Sequence, residues 1–153
     1  MTAGRNDEAG AEVIALETDL FFAVKIKDTL KHAGYATRVI RTVESLRESL
    51  ANGGYRIALV NLAARGADWQ AGIHVARDAG VPVIAYGPHV DLGAQTAARQ
   101  AGATRVIANS RLADLPALIE RTLARASSSQ AVSVASDEVV SLDEETPADD
   151  AMD

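Results

Sequence analysis

The chain has 153 residues, 48% hydrophobic and 24% charged, which suits one globular domain of ordinary size with chain to spare. It has no cysteine, which excludes disulfides, thiolate metal sites, iron–sulfur clusters and cysteine nucleophiles, and two Phe, three Tyr and one Trp leave little material for stacking bases. The net charge of −6 is uneven: eight acidic residues and no Lys or Arg fall in 127–153, leaving 13 acidic against 15 basic residues before them.

Residues 1–10 carry no apolar core of the signal-peptide kind and read as unstructured, and no apolar run approaches the roughly 18–20 residues of a membrane helix, so the expected compartment is the cytoplasm. From residue 11 two kinds of segment alternate. Glu12 to Leu16 is a short apolar strand. Leu20 to His32 places Phe22, Ile26 and Leu30 four apart, a helical stripe closed by Ala33-Gly34. Phe21 and Val24 lie toward the edge of that stripe, either under a neighbouring helix or as an exposed apolar strip. Ala36 to Arg41 is a second strand, and Thr42 can cap a helix that carries Val43, Leu46 and Leu50 and stops at Asn52-Gly53-Gly54. Arg56 to Leu62 is a third strand, apolar almost throughout, as expected for a strand covered on both faces.

The rhythm continues with a helix over Asp68 to Asp78, a strand over Pro82 to Tyr86, a helix over Leu92 to Gln100 and a strand over Arg105 to Ala108. Asp114 can cap a last helix, with Pro116 tolerated in its first turn and Leu118, Ile119 and Leu123 facing the core. Beyond Ser127-Ser128-Ser129 the chain is rich in Ser, Ala, Asp and Glu and cannot bury enough apolar surface to offset its ordering entropy. Residues 127–153 therefore read as a disordered acidic tail. Its one apolar patch, Val139 to Leu142, is either a chance cluster or a short docking motif. Five strands alternating with five helices over residues 11–126 predict an α/β doubly wound domain, with a parallel five-stranded sheet in the flavodoxin-like order 2-1-3-4-5.

Sites in such sheets lie at the carboxyl ends of the strands. The residues there are Glu17, Thr18 and Asp19 after the first strand, Asn61 ending the third, Gly87 and Pro88 after the fourth, and Asn109 and Ser110 after the fifth. Over about residues 12–126 the chain resembles the receiver domains of bacterial response regulators. The resemblance rests on Val13 to Tyr35, which ends in His32-Ala33-Gly34-Tyr35, on Arg99 to Ala103, and on the spacing of all five strand ends. It implies a signalling domain whose phosphorylation site has five positions. Two acidic residues after the first strand help to hold Mg²⁺, an Asp ending the third accepts the phosphoryl group, and a Thr or Ser and a Lys after the fourth and fifth contact its oxygens.

On that template Glu17 keeps one acid and Thr18 replaces the other, Asn61 stands at the phosphoacceptor, Gly87 at the Thr/Ser position and Asn109 at the Lys. Aspartyl phosphorylation needs a carboxylate nucleophile, and an amide cannot form the acyl phosphate. Magnesium prefers hard, charged oxygen ligands, and only Glu17, with Asp19 as a possible extra, remains to supply them. The resemblance thus implies a pseudo-receiver, a non-catalytic module without metal or cofactor, in which Thr18, Asn61 and Asn109 are expected to form a neutral hydrogen-bonded plug.

Members without the site generally act by binding proteins. The face made by the fourth helix, fifth strand and fifth helix carries Arg99, Arg105, Arg111 and Arg121, with Arg125 beyond, and is the expected site of partner contact or homodimerisation. The small positive excess before residue 127 speaks for protein contact over nucleic acid there. No Gly-rich phosphate loop follows the first strand, and His32, His74 and His89 have no second ligand at metal spacing. His89 and Asp91 near the fourth strand have no poised nucleophile beside them, so catalysis is not expected. The alternative from another class is a flavodoxin-like domain, or enzyme, that takes a small molecule among Thr18, Asn61, Gly87 and Asn109.

Overall fold

The computed structural model describes residues 11–88 and 92–131; the expectations for residues 1–10, for His89 and Asp91, and for the chain beyond 131 lie outside the described residues. The chain runs β1 (Val13–Leu16), α1 (Leu20–His32), β2 (Thr37–Ile40), α2 (Val43–Ala51), β3 (Ile57–Asn61), α3 (Trp69–Asp78), β4 (Val83–Gly87), α4 (Leu92–Ala101), β5 (Arg105–Ala108), a 3₁₀ turn (Asn109–Asp114) and α5 (Leu115–Ala131). The five strands form one parallel sheet in the order β2-β1-β3-β4-β5, as the alternation of strands and helices predicts.

Local chemistry sets the helix starts. Asp19 Oδ1 accepts from the Phe21 and Phe22 amides at the head of α1, Thr42 Oγ1 accepts from Ser45 N at α2, and Asp68 Oδ1 accepts from Ala71 N at α3. Gly102, just past α4, has φ +122°, and a Cβ there would lie 2.5 Å from Cδ of Arg77, so both conformation and space require glycine. Within α3, Gly72 brings the helix onto the sheet: a Cβ would meet the Leu16 side chain at 2.6 Å.

Period-two alternation divides the sheet into two cores. On one face Ile14, Leu16, Ala58, Val60, Val83 and Ala85 pack with Leu46 and Leu50 of α2, Ile73 and Ala76 of α3, and Ala98 and Ala101 of α4. On the other, Val13, Ala15, Ile57, Leu59, Ile84 and Tyr86 pack with Ile26 and Leu30 of α1 and with Leu115, Leu118 and Ile119 of α5. The compact unit ends at Leu123. Helix α5 continues through Ser127-Ser128-Ser129 to Ala131, entering the stretch that composition gives to the tail. A formed helix extends without a new nucleus, and serine costs only about 0.5 kcal/mol per residue relative to alanine.

Candidate functional site

The same alternation builds the site. Glu17 follows Val13 and Ala15 on the α1/α5 face, Asn61 follows Ile57 and Leu59, and Tyr86 follows Ile84. The register pairs Leu16 with Val60 and Asn61 with Tyr86, so the three side chains lie in one row across adjacent strands. Glu17 and Asn61 are 1% and 3% exposed and Tyr86 is fully buried, so every polar atom must find a partner inside the protein.

They find one another. Asn61 Nδ2 donates to both carboxyl oxygens of Glu17, at 2.8 and 2.9 Å. The Tyr86 hydroxyl donates to Glu17 Oε1 at 2.6 Å, and the Asp19 amide donates to Oε2 at 2.9 Å. The orientation of the Asn61 amide is fixed from its other end, because Asn61 Oδ1 accepts from Ala63 N at 2.7 Å. Burial, and then the neighbouring Glu17 carboxyl, push the Tyr86 hydroxyl well above its ordinary pKa of 10, since a phenolate there would be desolvated and beside another acid.

The expected neutral plug of Thr18, Asn61 and Asn109 does not form. Asn61 is in a plug, but its partners are Glu17 and Tyr86. Thr18 is half-buried beside it, Gly87 is buried at the end of β4, and Asn109 stands at the start of the 3₁₀ turn after β5 with Oδ1 buried and unpaired. Tyr86 is the member that the strand-end reading passes over; its parity with Glu17 and Asn61 is the signal that places it. Above the plug lies a cavity of about 310 Å³, whose walls include Thr18, Asp19, Phe22, Arg65, Pro88 and Asn109, with Asn61 at the boundary between the two.

No family model matches the chain, and no curated protein matches it in sequence. Solved structures do. The receiver domain of NtrX from Brucella abortus superimposes with a TM-score of 0.65 at 19% identity, over 72% of this chain and 97% of that one. A CheY-like receiver domain protein from Methanospirillum hungatei gives 0.68 at 16% identity, over 77% and 97%. The receiver domain of the sensor histidine kinase PA1611 from Pseudomonas aeruginosa gives 0.67 at 20% identity, over 75% and 98%. The fold is the receiver fold.

That last receiver holds a magnesium ion in its active-site cleft. The residues of the present receiver fold do not fit one. Both oxygens of Glu17 already accept hydrogen bonds, Asn61 turns N–H donors rather than an oxygen toward them, and Asn61 Oδ1 is taken by the backbone. Asp19, a possible extra ligand by sequence, spends Oδ1 on the cap of α1. Among the described residues no group of three or more His, Asp or Glu is placed to hold a metal.

The arginines of the α4–β5–α5 face of this receiver fold separate into two kinds. Arg105 Nε donates to Thr122 Oγ1 at 3.1 Å, and Arg111 Nε meets Asp114 Oδ2 at 3.3 Å, so both are committed within the domain. Arg99 and Arg121 are exposed. On α1 the edge of the apolar stripe is open: Leu20, Phe21 and Val24 are exposed rather than covered by a neighbouring helix. Among the described residues no helix is long and apolar enough to cross a membrane.

Proposed function

We propose that the chain is a pseudo-receiver, a non-catalytic cytoplasmic signalling module that acts by protein contact and is not phosphorylated at the position usual for receivers. The observation that carries this reading is Asn61. The end of the central strand presents an amide whose donors are spent on a buried carboxyl group, so it has neither the nucleophile nor the open metal site of aspartyl phosphorylation. Gly87 and Asn109 supply neither a hydroxyl nor a cation to phosphoryl oxygens. Without a phosphorylation switch, output depends on the amount of protein and on its partners.

The contact face in this reading is α4–β5–α5, used for a protein partner or a second copy, with Arg99 and Arg121 as its available cations. Incubation with acetyl phosphate and Mg²⁺, followed by phosphate-affinity electrophoresis, is the test. The expected result is no acid-labile phosphoprotein; stable incorporation lost on heating would overturn the reading.

A further inference from the structure

Two opposite charges line the cavity above the plug, and neither is in an ion pair among the described residues. Asp19 enters its wall from the head of α1, with one carboxylate oxygen on the helix cap. Arg65 enters from the β3–α3 loop, and among the described residues it makes no hydrogen bond or ion pair. Thr18 and Asn109 also line it, and Asn109 Oδ1 is buried with no donor. The apolar part of the wall is Ala63, the Pro88 ring, and the Phe22 ring, which Phe21 meets edge-on at a centroid distance of 5.5 Å.

We infer that this cavity binds a small zwitterion, an α-amino acid with an uncharged side chain. Its carboxylate would meet the Arg65 guanidinium in a charge-assisted pair, its ammonium the free oxygen of Asp19, and its side chain Phe22 and Pro88. Competing ligand chemistries fit less well. A phosphate or other multiply charged anion is repelled by Asp19 above and Glu17 below. A divalent cation finds the carboxyl oxygens of Glu17 already occupied. A flavin or dinucleotide exceeds the cavity: at 310 Å³ it stands at the small end of the range of ligand pockets, about 300–1,000 Å³.

Isothermal titration of the full-length protein with each of the twenty L-amino acids is the test, with the N-acetyl acid and the amino amide of any binder as controls. The expected result is saturable binding of one or a few uncharged amino acids, weakened about tenfold or more by removing either charge of the ligand, by Arg65→Gln, or by Asp19→Asn, which keeps a capping side chain. Inorganic phosphate should not compete. Three results would each overturn the inference: no binding of any amino acid at millimolar concentration, binding indifferent to both variants although their thermal unfolding matches wild type, or equal binding of the N-acetyl acid.

Discussion

The ends of β1, β3 and β4 and the end of β5 treat buried polar groups in opposite ways. At the first, a buried carboxyl group, amide and phenol satisfy one another and the backbone. At the second, one strand beyond Tyr86's own in the sheet order, Asn109 keeps a buried oxygen with no donor. Here side chains at the ends of the inner three strands form a closed network, while the loops that follow the strands, the one after β5 included, wall an open cavity above it. Closure at one end fixes the floor of the site and leaves its far wall free for a different task.

The strongest way to break this contrast is to restore the acid. Asn61→Asp replaces two N–H contacts with a carboxylate at hydrogen-bond distance from Glu17, and two such groups cannot both be ionised. The expected loss of stability at pH 8 is about 3 kcal/mol, the scale of an uncompensated buried charge. One carboxyl pKa of the folded variant rises above its unfolded value of about 4. Stability is then held at low pH and lost as pH rises through the folded pKa. Urea unfolding at pH 5 and pH 8 measures this; a variant as stable as wild type at pH 8 would mean that the network does not close the site. A rise in Tm with MgCl₂ in the variant alone would show that the lost amide is what keeps the cation out.

Tyr86→Phe is the next step down. It keeps the ring in the core and removes one hydrogen bond to Glu17, while the Asn61 and Asp19 donors remain, so the expected cost is about 2 kcal/mol. It also changes the alkaline limb of stability. The Tyr86 hydroxyl is raised above 10 in the folded protein, so the folded state keeps a proton that the unfolded chain releases. The resulting stability is complete below about pH 10 and falls as pH rises toward the folded value. Unfolding curves between pH 8 and 11 should show a steep fall in wild type and a shallower one in the variant. The residual slope comes from Tyr35, which burial and then Glu120 also raise. Parallel slopes in the two proteins would remove Tyr86 from the buried network.

Most of the fold was legible because strand parity, helix caps and Ala-Gly stops all point the same way. Thr42 is a cap where the sequence places one, and the almost wholly apolar third strand is buried on both faces. The site was legible in its positions and not in its bonding. Glu17 and Asn61 are readable as strand-end residues, but hydrogen bonds depend on which neighbour shares a row, and that needs the register between strands as well as the order. Tyr86 reads as one more large residue in an apolar strand until register pairs it with Asn61. Asp19 reads as a spare acid, although an Asp directly before an amphipathic helix is also the pattern of a cap. Arg105 reads as surface charge because nothing in the sequence announces Thr122 as its partner.

The smallest effect separates the two strand ends most cleanly. Asn109→Ala removes a group that gains nothing from the protein at its buried oxygen, so its desolvation is already uncompensated in the native state. Deleting such a group is close to neutral, within about 1 kcal/mol of wild type and in the stabilising direction if the cavity wall relaxes. Asn61→Ala, the same chemical change two strands away, leaves the Glu17 carboxyl and the Ala63 amide short of partners and should cost about 2–3 kcal/mol. Side-by-side urea unfolding of the two variants tests the contrast. Equal losses would mean that Asn109 is as deeply bonded as Asn61, and that the end of β5 is closed like its neighbours.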